Sequence, residues 1–94
     1  MRWVEMITVR LAASTDCAEA QRLFSDIRKN IDADEDKRVH VVIYRGSMLE
    51  SDWAIHLHHD TVGCPSGRTW LGITLADEIR RIALVDHSIW IEET

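Results

Sequence analysis

Several common site chemistries lack their residues in this chain. It has two cysteines, Cys17 and Cys64, far apart among its 94 residues, and no CxxC or CxxxC pair. A metallochaperone would carry CxxC in the first strand–helix loop; Ala13-Ser14-Thr15-Asp16-Cys17 has a lone cysteine there. Two free thiols in a reducing cytoplasm are the expectation, with a Cys17–Cys64 disulfide as the alternative. The same loop has no glycine, so it is no phosphate cradle. Basic residues are few, 11 against 16 acidic, for a formal net charge of −5. That excludes a binder of phosphate backbones, which needs a basic stripe to displace counterions. An RNA-recognition sheet is excluded too, since the chain is acidic and has no paired-aromatic motif. No apolar run is long enough to cross a bilayer. The opening Met1-Arg2-Trp3-Val4-Glu5 does not read as a secretory leader, because an acidic residue interrupts it and no apolar segment follows. Neither nucleic acid nor membrane is therefore expected as a partner.

A chain of 94 residues is expected to be one domain, with a thin core. Its most informative stretch is Asp52-Trp53-Ala54-Ile55-His56-Leu57-His58-His59-Asp60. Trp53, Ile55 and Leu57 alternate with Ala54, His56 and His58, the pattern of a strand with one face on a core and the other on something wetter. Three of the five histidines lie here.

Three further strands and two helices follow from periodicity. Residues 2–12 alternate, with Trp3, Ile7, Val9 and Leu11 on one face and Val4, Met6, Thr8 and Arg10 on the other. Asp16 and Glu19 have the spacing of a capping box, and Ala20, Leu23, Phe24, Ile27 and Ile31 form one apolar stripe, so a helix is expected over 17–31. The acidic segment 32–37 reads as a solvated connection, because the Gly and the terminal Glu of a calcium loop are missing. In residues 38–45, Val39, Val41 and Ile43 oppose His40, Val42 and Tyr44, and this strand is close enough to 52–60 for a hairpin. Cys64-Pro65-Ser66-Gly67 is a loop whose thiol has no assignable base.

Leu71, Leu75, Ala76, Ile79, Ile82 and Ala83 form a second helical stripe, with Asp77-Glu78 near its start and Arg80-Arg81 near its end. Its cap is either Ser66, which leaves Trp70 and Ile73 exposed as a contact surface, or Thr74, which tucks both into the core. Residues 85–92 close the chain as a strand with Ile89 and Ile91 inward and Ser88, Trp90 and Glu92 outward. His59 and Asp60 read as surface, and His87 as a neighbour of the helix end.

The order β-α-β-β-α-β predicts a ferredoxin-like α+β sandwich: an antiparallel sheet in the order 4-1-3-2, with both helices on one face. The opposite face is unusual. It carries Met6, His40, Val42, Tyr44, His56, His58 and Trp90, too apolar for solvent and too polar for a dry core. Such a face is expected to cover a second copy of the chain around a small lumen.

With this face, the chain resembles the dimeric α/β-barrel superfamily, which includes antibiotic-biosynthesis-type monooxygenases and stress-responsive barrel proteins. The runs Ile55-His56-Leu57-His58, Leu71-Gly72, Leu75-Ala76-Asp77 and Leu84-Val85-Asp86-His87-Ser88-Ile89-Trp90 also resemble a group of short bacterial proteins without an assigned function. The resemblance implies a dimeric barrel and carries over no catalytic residue.

Three functional readings follow. The leading one is a cytoplasmic homodimer that associates through the open sheet face and holds a small hydrophobic ligand, with no cofactor. A second is a cofactor-free, monooxygenase-like or isomerase-like enzyme. His56 or His58 would be its base, Arg10 would stabilise negative charge, and Tyr44 and Trp90 would wall the lumen. A third is a zinc site at His40, His56 and His58, since His56 and His58 project from one face about 7 Å apart at Cα and hairpin pairing sets His40 opposite one of them.

Overall fold

The alternating segments pair into one four-stranded antiparallel sheet. A computed structural model describes residues 1–12, 17–32 and 39–93. The elements are β1 (Arg2–Leu11), α1 (Cys17–Asp32), β2 (His40–Arg45), β3 (Asp52–Asp60), α2 (Trp70–Ile79) and β4 (Ala83–Ile91). The sheet order is β2-β3-β1-β4, the ferredoxin-like order expected. The two long central strands, β1 and β3, pair from Arg2↔Asp60 to Arg10↔Asp52. Residues 33–37 of the acidic connection, the capping residue Asp16 and the side chain of Cys17 lie outside the described residues; Cys64 is exposed.

One core holds these elements together. Ile7, Val9 and Leu11 of β1, Val41 of β2, and Ile55 and Leu57 of β3 meet Ala20, Phe24 and Ile27 of α1 and Leu75, Ala76 and Ile79 of α2. Both helix stripes thus face the same side of the sheet, with α1 against β2 and α2 against β4 and β1. The driving force is the removal of these apolar faces from water, which stabilises by roughly 25 cal/mol per Å². Among the described residues no helix is long and apolar enough to cross a membrane.

Two expectations about the second half are corrected. Helix α2 starts at neither Ser66 nor Thr74: Thr69 caps it, its side chain accepting from the Gly72 backbone N–H at 3.0 Å. The helix is therefore short, and Asp77 and Glu78 fall in its last turn. Arg80 and Arg81 lie beyond it, and Ala83 already belongs to β4. Trp70 is 81% exposed and Ile73 38%, so both lie outside the core, as the earlier start had implied. In β4, Ile91 is exposed, and the inward position is held instead by His87.

Candidate functional site

The strand register sorts the unusual residues into two groups on opposite faces of the sheet. On the open face, β2–β3 pairing sets His40 across from His58 and Val42 across from His56. β1 adds Val4 beside His58 and Met6 beside His56, and β4 adds Trp90 and Ser88. Tyr44 packs its ring 4.8 Å from that of His56, and Trp90 donates to the Ser88 hydroxyl at 2.9 Å. The ring centroids of His40 and His58, and of His56 and His58, are each 6.0 Å apart. His58 stands between the other two rings, His40 across the strands and His56 along its own strand, and among the described residues no group of three His, Cys, Asp or Glu is arranged to hold a metal ion.

Burial, and then the neighbouring charge of His58, pushes the proton affinity of His56 below the ordinary imidazole value. His56 is therefore neutral at pH 7. Arg10, at the far end of this face, is held by Asp52 through an Nε–Oδ1 contact of 3.0 Å. A concavity of about 510 Å³ lies there, bounded by Thr8, Arg10, Tyr44, Ala54, Leu84 and Asp86 among others.

The second group lies on the helix side, and sequence reasoning missed it. Glu5 falls in phase with Trp3, Ile7, Val9 and Leu11, and its side chain is fully buried. Its pairing partners are Leu57 on β3 and Ile89 on β4. Two residues beyond Leu57 is His59, and two before Ile89 is His87, so Glu5 is diagonal to a histidine on each flank. The contacts are close: Oε1 to His59 Nε2 at 2.8 Å and Oε2 to His87 Nε2 at 2.7 Å. The start of α2 supplies two more donors. The Thr69 hydroxyl donates to Oε1 and its backbone N–H to Oε2 at 3.2 Å.

This carboxylate is charged. Burial raises its proton affinity, but the bonds from the Thr69 hydroxyl, His87, the Thr69 backbone and His59 outweigh that and hold it below the usual carboxylate value. The contacts fix the rings as well, since Nε2 of each histidine must carry the proton it donates. Trp3 stacks on His59 with centroids 4.1 Å apart, and its own N–H donates to Thr61 Oγ1 at 2.9 Å. His59 is thus a buried core residue and not the surface position expected of it, whereas His87 is buried and does neighbour a helix end, the start of α2. The sequence signal was available: an acidic residue in the apolar phase of a strand needs buried donors.

The Thr69 hydroxyl makes two bonds at once, accepting from the Gly72 N–H to cap α2 and donating to Glu5. Thr69→Ala should therefore cost more than a lone cap, toward the upper end of about 0.5–2 kcal/mol. Urea denaturation would measure it, and a loss near zero would mean that neither bond stabilises the fold.

No protein-family model and no curated protein matches this chain. Solved structures do match it at the level of fold. SnoaB, a cofactor-independent oxygenase from Streptomyces nogalater, aligns over 99% of this chain and 94% of its own, with a TM-score of 0.69 and 7% identity. A putative antibiotic biosynthesis monooxygenase from Bordetella bronchiseptica aligns over 100% of both chains, with a TM-score of 0.66 and 9% identity. A Mycobacterium tuberculosis protein aligns over 100% of this chain and 97% of its own, with a TM-score of 0.65 and 8% identity. The fold of this chain is accordingly the ferredoxin-like fold that these structures share.

Proposed function

We propose that the protein is a homodimer in which two open sheet faces meet around a lumen that takes a small, largely apolar ligand. One observation carries this reading: the open face displays large apolar side chains in quantity, with Leu84 76%, Trp90 59% and Tyr44 49% exposed. Val42 and Met6 lie half-buried between them. Large apolar side chains exposed on one sheet face are costly in water and mark a surface that is covered. A second copy is the simplest cover, because a two-fold axis lets one self-complementary face bury itself. His40, His56 and His58 would then border the lumen and set the polarity of its ligand.

The second reading, a cofactor-independent enzyme working in that lumen, is favoured by the neutral state of His56. A base must be unprotonated at the working pH, and burial and His58 act in that direction. The description of the Streptomyces neighbour as a cofactor-independent oxygenase supports the same reading.

Val42→Asp and Trp90→Asp each place a charge on the contact face and leave the helix-side core untouched. Each is expected to turn the dimer into a folded monomer, as read by sedimentation velocity with circular dichroism as the folding control. Folded variants that sediment with the wild type would remove this surface from the interface.

A further inference from the structure

Covering the open face of the sheet buries polar atoms along with apolar ones. Among the described residues no hydrogen bond engages a ring nitrogen of His40, His56 or His58. A ring nitrogen taken out of water without a partner is costly, so a closed interface has to supply one. The lone pair of a neutral imidazole accepts either a hydrogen-bond donor or a metal ion.

His40 and His58 are placed to share one ion. The β2–β3 register sets them directly opposite each other, so both side chains leave the same face from neighbouring strands. Metal–imidazole bonds are about 2.0–2.1 Å long, and two rings on one zinc-like ion therefore hold their centroids about 5–6.5 Å apart. The centroids of His40 and His58 stand 6.0 Å apart. Both residues are exposed, and both line a cleft of about 530 Å³ at one end of the face. His56 is also 6.0 Å from His58, but it is half-buried, packs on Tyr44 and does not line that cleft.

The pair is half of a site. A structural zinc centre takes four ligands. Val4, which flanks His58 from β1, is aliphatic, and Asp60 is engaged by the N-terminal ammonium at 3.3 Å. Among the described residues no third His, Cys, Asp or Glu completes a metal-binding group. The missing ligands have to come from whatever covers the face. A two-fold axis beside the pair would bring the same two side chains from a second copy.

We propose that His40 and His58 bind a zinc-like divalent cation together with the same two histidines of the second copy, one ion per dimer. This rests on the homodimer reading above and adds to it a bridging ion. Four neutral imidazoles are a donor set that suits zinc. The ion takes four lone pairs that the closed interface would otherwise leave unmatched, and it ties the strength of the dimer to the supply of metal.

The test uses protein without a polyhistidine tag, stripped with EDTA and returned to buffer with or without zinc chloride. Sedimentation velocity across a dilution series reads the dimer, and atomic absorption after dialysis reads the metal. One zinc per two chains is expected. At free zinc ten times its dissociation constant, the dimer dissociation constant should fall about tenfold. His40→Ala and His58→Ala, both at exposed positions, should each abolish the zinc effect in folded protein, and His56→Ala should keep it. One zinc per chain overturns the shared site, as does loss in His56→Ala with His40→Ala unaffected. A dimer in EDTA that zinc does not tighten overturns the metal site and leaves the dimer reading standing. Protein that is monomeric with and without zinc overturns both.

Discussion

Glu5→Ala is expected to remove about 3–5 kcal/mol of folding free energy at pH 7. The substitution leaves the donors of His59, His87 and Thr69 facing an empty, buried space, and each orphaned donor carries its own desolvation cost. Glu5→Gln keeps the shape and one acceptor oxygen but turns an amide N–H₂ toward a donor, so its cost should be smaller, about 1–3 kcal/mol. The two variants also separate charge from packing. Glu5 is held below its ordinary value of 4.5 in the folded protein. Its contribution is therefore fully present above pH 4.5 and is lost as pH falls through the lower folded value. Wild type should lose stability across that acid window, and Glu5→Gln should lack this component. Urea denaturation from pH 7 downward measures both. A cost for Glu5→Ala below about 1 kcal/mol would mean that the cluster is not satisfied as described.

Gly72→Ala should be nearly as damaging, although alanine is the better helix former by about 1 kcal/mol. A Cβ at this position would stand 2.1 Å from Glu5 Oε2, 2.9 Å from its Cδ and 3.0 Å from His87 Cε1. The carboxylate cannot retreat without breaking bonds to two histidines, and α2 cannot retreat without losing its contacts through Leu75, Ala76 and Ile79. The expected net loss is about 2–4 kcal/mol, the sum of overpacking and a broken buried network less the propensity gain. Gly63→Ala is the control, since nothing lies within 4 Å of its added methyl. Equal melting temperatures for the two variants would refute the close approach of α2 to β1.

The sequence made the sheet legible because its alternation is strong. Ile7, Val9, Leu11, Ile55 and Leu57 mark the core side, and the hairpin phase left His40 only two partners, of which the register selects His58. What escaped was Glu5. Periodicity marks a phase, not a partner, and the partners of Glu5 lie on two other strands and a helix cap, brought together by diagonal registers that no spacing in the chain displays. The start of α2 escaped for the same reason. Ser66 and Thr74 are local caps of equal merit, whereas Thr69 gains a second bond from a carboxylate distant in sequence. The stripe also ran too far, since Ile82 and Ala83 follow the end of the helix and still pack on the core, so a period that looked helical carried into the next strand.

Light scattering across a dilution series is the direct test of whether a second copy covers the open sheet face. A molar mass of twice the 10.8 kDa chain, holding into the micromolar range, is expected. A mass of one chain at every concentration would contradict it, leaving Tyr44, Leu84 and Trp90 without the cover assigned to them.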